Sequence, residues 1–409
     1  MLASVRSNAT EFSVEESSEA LVIGGGPVGL FAALCLSERG VSTRVVDAEW
    51  ERPARSYACG LHPETLRLLD EVGLLEQLGT LAHRVDRLSV YRGFDPIASI
   101  DFNRLTGAFP HVLTLPQTDL EAMLTSALEQ RGLEVLWRHE VTKLTLEDSH
   151  VRAAATPKRM TSTGTLRSRL EETAGDAVML RAEAVVAADG YYSPCRTALA
   201  IDPISLEQTE AFAVFEFDAN LSDFQHEGVL VLDASVSAFW PLGPTRGRWM
   251  FPVWERLDGC ATPALLSSLI RARVPWFTPV IERVTSSSVT QFERLLASEF
   301  GRGRIWLAGD AAHVTSPIGF QSMNRGFSEA HQIAATLGEV LRGNGNPADA
   351  LPRFNDAQQR EWRRLLGIDI RVSGERPLSG SDGAKLVPCL PASGADLVAL
   401  LAQVGLTFG

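Results

Sequence analysis

The chain has 409 residues, 45% of them hydrophobic and 22% charged, with a formal net charge of -12; that length allows one large core or two fused ones. The acidic balance repels a phosphate backbone, so no nucleic-acid partner is expected. Five scattered cysteines without a C-x-x-C pair suggest neither a zinc site nor a disulfide framework, no metal is expected, and a reducing cytoplasm is the natural setting.

Residues 1–18 are polar and acidic and read as a disordered leader. They lack the basic start and apolar centre of a signal peptide. No apolar run approaches the roughly 20 residues that span a bilayer, so no stable membrane insertion is expected. Residues 20–23 are an apolar run ending in three glycines, the pattern of a buried parallel strand. Pro27 opens a helical stretch that Gly40 closes, and residues 43–46 form a second strand ending at Asp47. Helical spacing recurs over 62–80 and over 118–131, where Thr118 or Asp119 would cap. Residues 133–150 alternate as strands do. Residues 156–177 read as a long exposed loop inside a hairpin, and 184–190 as another buried strand. From about 205 to 290 the segments alternate or run apolar between Gly and Pro, the pattern of an inserted antiparallel sheet. A buried strand returns at 303–309. Helices follow over about 324–342, 347–366 and 394–405.

The first chemical motif is Gly24-x-Gly26-x-x-Gly29, set directly after a strand and opening a helix at Pro27. Gly24 permits the tight turn, Gly26 lets a pyrophosphate approach the backbone, and Gly29 lets helix and strand pack closely. The helix start presents unpaired N–H groups to the phosphates. Asp47, at the end of the second strand, can accept hydrogen bonds from ribose hydroxyls. With 33 glycines in the chain the pattern arises by chance roughly 0.2 times, so alone it is weak, and the strand, helix and acidic residue around it supply the specificity. The unit alone does not separate NAD from FAD.

Residues 303–324 read GRIWLAGDAAHVTSPIGFQSMN. Here the chain resembles the para-hydroxybenzoate-hydroxylase-like flavoprotein monooxygenases, the aromatic-ring hydroxylases. The resemblance implies that Asp310 binds the ribityl chain of FAD, and that Pro317, Gly319, Met323 and Asn324 lie where a helix start meets the flavin ring. Such a helix start stabilises negative charge on reduced flavin. The stretch 185–196 resembles the family's Asp-Gly segment, which implies roles for Asp189, Gly190 and Arg196 near FAD and NAD(P)H. Weaker matches imply that Arg55 and Gln117 approach the cofactor. The likeness runs in order from about 20 to 366. It departs at Phe320 and Ser322, which replace family glycines where backbone meets flavin; side chains there would restrict flavin movement or block a substrate pose.

The expected architecture is α/β: a Rossmann-like FAD-binding domain built from 19–110, 111–204 and 291–345, an inserted α+β substrate domain on an antiparallel sheet over 205–290, and a C-terminal helical segment, 346–409. The resemblance implies an FAD-dependent monooxygenase. NADH or NADPH would bind transiently, and a flavin C4a-hydroperoxide would hydroxylate a small aromatic or polyketide-like substrate with O2, in a monomer or homodimer. Pro317, Gly319 and Phe320 are the flavin-proximal candidates, and no acid or base is assigned. His313 reads as structural, and His62, His111 and His331 as isolated. Trp240, Trp249, Phe239 and Phe251 would line an aromatic pocket or form plain core, at even odds. A same-fold epoxidase, halogenase or reductase is the nearest rival, and a flavin-binding module without turnover the rival from another class.

Overall fold

The apolar run at 20–23 is the inner end of a longer strand, Glu15–Ile23, in a computed structural model that describes residues 15–49, 60–161, 169–172, 177–205, 210–253, 261–344, 347–366, 370–372, 378 and 380–408. The strand therefore begins inside the expected leader. Glu15 to Ser18 pair in register with Met179 to Ala182 through main-chain bonds, which need no apolar side chains and so leave no hydrophobic signal. Strand Val178–Ala187 lies beside it, and the parallel order runs Ile305–Leu307, Val178–Ala187, Glu15–Ile23, Thr43–Val46, Val135–Leu136. Leu21, Val22, Val45, Val185 and Val186 are all buried, as a sheet covered on both faces requires. Helices Pro27–Glu38 and Gln321–Leu341 pack on this sheet and on each other, and helix Gln117–Gln130 packs on Pro27–Glu38.

Several boundaries differ from expectation. The stretch 156–177 is not a loop throughout: strand Val151–Thr161 pairs with Arg169–Glu172, a ladder resting on main-chain bonds that polar composition hides. The helical stretch 62–80 is two helices, Pro63–Glu71 and Leu75–Leu81, parted where Gly73 takes φ +74°. The next helix is capped by Pro116 rather than Thr118 or Asp119, which lie within its first turn. The tail also forms a strand pair, Ile370–Val372 with Leu406–Phe408.

A seven-stranded sheet stands over the parallel one, in the order Ile281–Phe292, Glu210–Ala219, Arg246–Val253, Val236–Pro241, Glu227–Leu232, Arg87–Arg92, Asp95–Asp101. Its last two strands come from outside the 205–290 stretch, and Arg87–Arg92 joins Glu227–Leu232 in parallel. Side chains of period two divide between its faces. Ala213, Phe215, Phe239, Trp249 and Phe251 pack outward with Leu266 of helix Pro263–Arg273. Phe212, Leu230, Ala238, Trp240 and Met250 pack inward, into the core shared with the parallel sheet. Of the four aromatics singled out in the sequence, only Trp240 faces the core shared with the parallel sheet. Among the described residues no helix is long and apolar enough to cross a membrane.

Candidate functional site

At the end of strand Glu15–Ile23 the chain turns through Gly24, whose φ of +113° favours glycine and where a Cβ would lie 2.1 Å from Ala188 O. Gly29 is needed for proximity: a Cβ there would lie 1.9 Å from Gly24 O, so any side chain would push the helix off the strand. At Gly26 a Cβ would meet nothing within 4 Å. Helix Pro27–Glu38 starts with no side-chain cap, leaving its first N–H groups for a ligand. A cavity of about 570 Å³ opens over this turn.

Of the residues singled out in the sequence, Gly24, Gly26, Pro27, Asp47, Gln117, Asp189, Gly190, Asp310, Pro317, Phe320, Ser322 and Met323 line that cavity. Gly29, Gly319 and Asn324 do not line it, and Arg55 lies outside the described residues. Asp47 accepts hydrogen bonds from Gly25 N and, at 2.6 Å, from Glu49 N. Burial raises its carboxyl pKa against those two bonds. Asp189 accepts from Ser193 Oγ (2.6 Å) and Cys195 N (2.9 Å), which fixes the turn into helix Pro194–Ala198. Arg196 is turned away from the cavity lining. Its guanidinium donates to Ala311 O (2.7 Å) and Tyr191 O (2.8 Å), tying the Asp-Gly loop to the Gly309–Ala311 turn.

Asp310 is open to the cavity, although the protein around it raises its carboxyl pKa by desolvation, with His313 opposing and Glu329 adding. Behind it, fully buried Glu329 accepts hydrogen bonds from Gly309 N (3.0 Å), the His313 ring (2.7 Å) and Trp362 Nε1 (3.1 Å). His313 thus holds the turn that aims Asp310. Glu329 does the same, yet nothing in its local sequence marks it.

The segment from Val314 to Met323 forms the far wall. Ser322, one of the two glycine replacements, accepts from Thr315 N through its Oγ at 2.9 Å and so closes the bend. Gln321 donates through Nε2 to Leu390 O and, at 2.8 Å, to Ala392 O. Its Oε1 is buried without a partner among the described residues. Gly319 backs onto the C-terminal segment, where a Cβ would lie 2.5 Å from Pro388 O. Asn324 is a clamp. Its Oδ1 accepts from His62 N (2.8 Å) and Thr65 Oγ1 (2.7 Å), and its Nδ2 donates to Gly60 O (2.9 Å) and Phe320 O (2.7 Å).

Other lining residues carried no signal in the sequence. His139, Glu140 and Lys158 come from strands beyond Asp47 and Trp137 from the turn before His139, with Lys158 Nζ 2.8 Å from Glu140. Trp137 covers the glycine turn so closely that a Cβ on Gly25 would lie 2.6 Å from its ring. Glu121, one helical turn after Gln117, accepts from Gln117 Nε2 at 2.7 Å. His331 is not isolated: its Nε2 lies 3.0 Å from Glu71 and 3.1 Å from Arg39.

A parallel sheet with a glycine turn, an acidic strand end and a cavity shared with a second Gly-Asp turn defines a nucleotide-binding flavoprotein fold. The family model for an FAD binding domain matches residues 17–357. The chain belongs to this family of FAD-dependent monooxygenases of aromatic compounds. It is 27% identical over 350 residues to a para-nitrophenol 4-monooxygenase of Pseudomonas sp. (strain WBC-3), covering 82% of this chain and 81% of that one. It is 29% identical over 339 residues to 6-methylpretetramide 4-monooxygenase of Streptomyces rimosus, covering 80% of this chain but only 57% of that one. Its fold matches a crystal structure of p-nitrophenol 4-monooxygenase from Pseudomonas putida DLL-E4 with a TM-score of 0.74, at 21% identity, over 95% of this chain and 94% of that one.

Proposed function

We propose that this enzyme holds FAD in the cavity over the glycine turn and, with NADH or NADPH and dioxygen, places one oxygen atom on a small aromatic or polyketide-like substrate. The observation that carries the reading is convergence. Residues 24–27, Asp47, Asp189, Asp310 and the wall from Val314 to Met323 are far apart in the chain yet line one cavity. Its volume is that of a ligand site rather than a packing defect. Three features suit a flavin nucleotide: open space beside Gly26, an uncapped helix start at Pro27, and the unpartnered acceptor Gln321 Oε1.

In this reading the N–H groups of helix Pro27–Glu38 receive the pyrophosphate. Asp47 accepts from the ribose hydroxyls and Asp310 from the ribityl hydroxyls, while Gln117 and Asp189 border the same groups. When bound, FAD supplies the redox chemistry and the activation of dioxygen. Helix Gln321–Leu341 has neither an acidic residue nor a side-chain cap in its first turn, so its dipole favours negative charge at that end. Pro317, Phe320 and Met323 make this end of the wall apolar, which excludes water and strengthens electrostatic interactions inside. Gly319 acts from behind, by letting the C-terminal segment close against the wall. Cys35, Cys195 and Cys389 are free and buried, as suits a reducing cytoplasm.

The purified protein is expected to be yellow and to oxidise NADH or NADPH faster when a suitable phenol is added, with one oxygen gained in the product by mass spectrometry. Asp310→Ala should weaken FAD binding about tenfold or more, near 1.4 kcal/mol, in a flavin-fluorescence titration. Steady NAD(P)H oxidation with no oxygenated product from any phenol or polyketide-like aromatic would sink the reading.

A further inference from the structure

Strand Val135–Leu136 ends beside Asp47, and Trp137 and Arg138 alone separate it from strand His139–Leu146. Main-chain bonds hold this turn in place. Asp47 N donates to Leu136 O (3.1 Å), Arg138 N to Glu49 O (3.0 Å), His139 N to Asp47 O (2.8 Å) and Lys158 N to Arg138 O (2.7 Å). The His139 ring donates from Nδ1 to Trp137 O at 2.8 Å. Within the turn Arg138 takes φ +61°, in the left-handed region that a residue with a side chain adopts at a cost. Such a conformation persists only where the surroundings over-determine it, and it clusters at ligand sites.

What the strained turn delivers is the side chain of Trp137. The benzo edge of its indole stands on the glycine turn: a Cβ on Gly25 would lie 2.6 Å from Trp137 Cζ3, 2.8 Å from Cη2 and 3.1 Å from Asp47 Cβ. The indole, the glycine turn and the acidic strand end therefore meet at one corner of the cavity. Trp137 is only half-buried. It lines the cavity and also a second hollow of about 490 Å³, bordered by Thr125, Glu129 and Leu133. A core residue is close-packed on every side, whereas this indole is a partition with open space beside it.

We propose that Trp137 is the aromatic platform for the adenine base of the bound dinucleotide, held in position by the Arg138 turn before the nucleotide arrives. This rests on the assignment of the cavity to FAD. With the pyrophosphate on the helix start at Pro27 and the adenosine ribose on Asp47, the base carried by that ribose lies past Asp47, away from the 314–323 wall. Adenine is flat, and an aromatic side chain beside it gains by offset stacking. Among Glu49, Trp137, His139, Glu140 and Lys158, which line this end, Trp137 has the largest aromatic face. A platform fixed in advance also lowers the ordering cost of binding. Trp137 then favours FAD over FMN, which lacks the adenosine.

The test is equilibrium binding to the full-length protein stripped of flavin, with FAD, FMN and ADP as probes. Trp137→Leu, which keeps bulk but has no aromatic face, should weaken FAD about tenfold or more and leave FMN unchanged. Trp137→Phe should hold FAD nearly as wild type does. ADP should quench the tryptophan fluorescence of wild type but not that of Trp137→Phe. Melting temperature reports whether each protein is folded; should Trp137→Leu fail to fold, the ADP quenching decides. An unchanged FAD affinity in folded Trp137→Leu overturns the platform, as does wild-type fluorescence unmoved by ADP. Equal losses for FAD and FMN overturn it too, since the indole would then be a prop for the glycine turn. Quenching by ADP at Trp137 in a wild type that binds no FAD would overturn the flavin assignment and leave the adenine platform standing.

Discussion

His62 has no exposed surface, and its Nε2–H donates to Gly319 O at 2.8 Å while Nδ1 is buried without a partner among the described residues. Burial pushes its pKa down to about 4, against the Gly319 bond and Glu64, which raise it, and with Arg325, which lowers it. In the unfolded chain the imidazole titrates near its ordinary value of about 6.5. Between those limits the unfolded state binds a proton that the folded state refuses, so stability is full above the window and falls as pH drops through it. The loss amounts to about 3 kcal/mol at most. His62→Gln keeps a donor for Gly319 and cannot titrate. Its urea-unfolding free energy should fall less than that of wild type between about pH 7 and pH 4.5. Equal acid slopes for the two proteins would reject this role. None of this was legible locally: the partner of His62 is 257 residues away. Gly24, Gly26 and Asp47 were legible, because their roles depend on neighbours within one strand–helix–strand unit.

At the scale of elements, Asn324 joins the start of helix Gln321–Leu341 to strand Gly60–Leu61 and helix Pro63–Glu71. The family resemblance implied that it lies against the flavin; in the structure its carboxamide makes four bonds to protein. Asn324→Ala leaves buried His62 N, Gly60 O and Phe320 O short of partners. It should lower stability by about 3 kcal/mol, measured by denaturant unfolding, and loosen the flavin-side wall. A loss below about 1 kcal/mol would mean that the clamp is dispensable. The four sheet aromatics teach a related lesson. Alternation announced a strand, but not which parity faces the core shared with the parallel sheet. Trp240 turns inward and Phe239, Trp249 and Phe251 outward, because helix Pro263–Arg273 covers one face and the parallel-sheet core covers the other.

At the scale of the molecule, the C-terminal segment is part of the same core as the parallel sheet. Leu386, Val387, Leu390, Leu397, Leu400, Leu401 and Leu406 are buried in the cluster that holds Val22 and Val185. Fully burying each such side chain is worth roughly 1.5–3 kcal/mol, so the seven together contribute as much as or more than the roughly 5–15 kcal/mol on which a whole domain depends. A chain ending at residue 377 should therefore fail to fold or to retain FAD, seen as insoluble protein or the loss of a cooperative melt. A truncated protein that melts near the wild-type temperature with flavin bound would show the segment to be an accessory. Ser393 Oγ on Glu64 and Asp382 on Arg92, 2.7 Å apart, also fasten it to helix Pro63–Glu71 and strand Arg87–Arg92.

The parallel strand–helix–strand unit with its glycine turn, the Gly-Asp turn at Asp310 and a second, largely antiparallel sheet were all legible in the sequence. Each is written in contacts a few residues apart, where backbone geometry and apolar period leave a local mark. Tertiary structure alone decided that Phe320 meets Trp240, that Asn324 grips Gly60 from 264 residues away, and that Glu329 holds the turn behind Asp310. Those contacts come from packing between distant elements, and no spacing along the chain encodes which buried groups will meet.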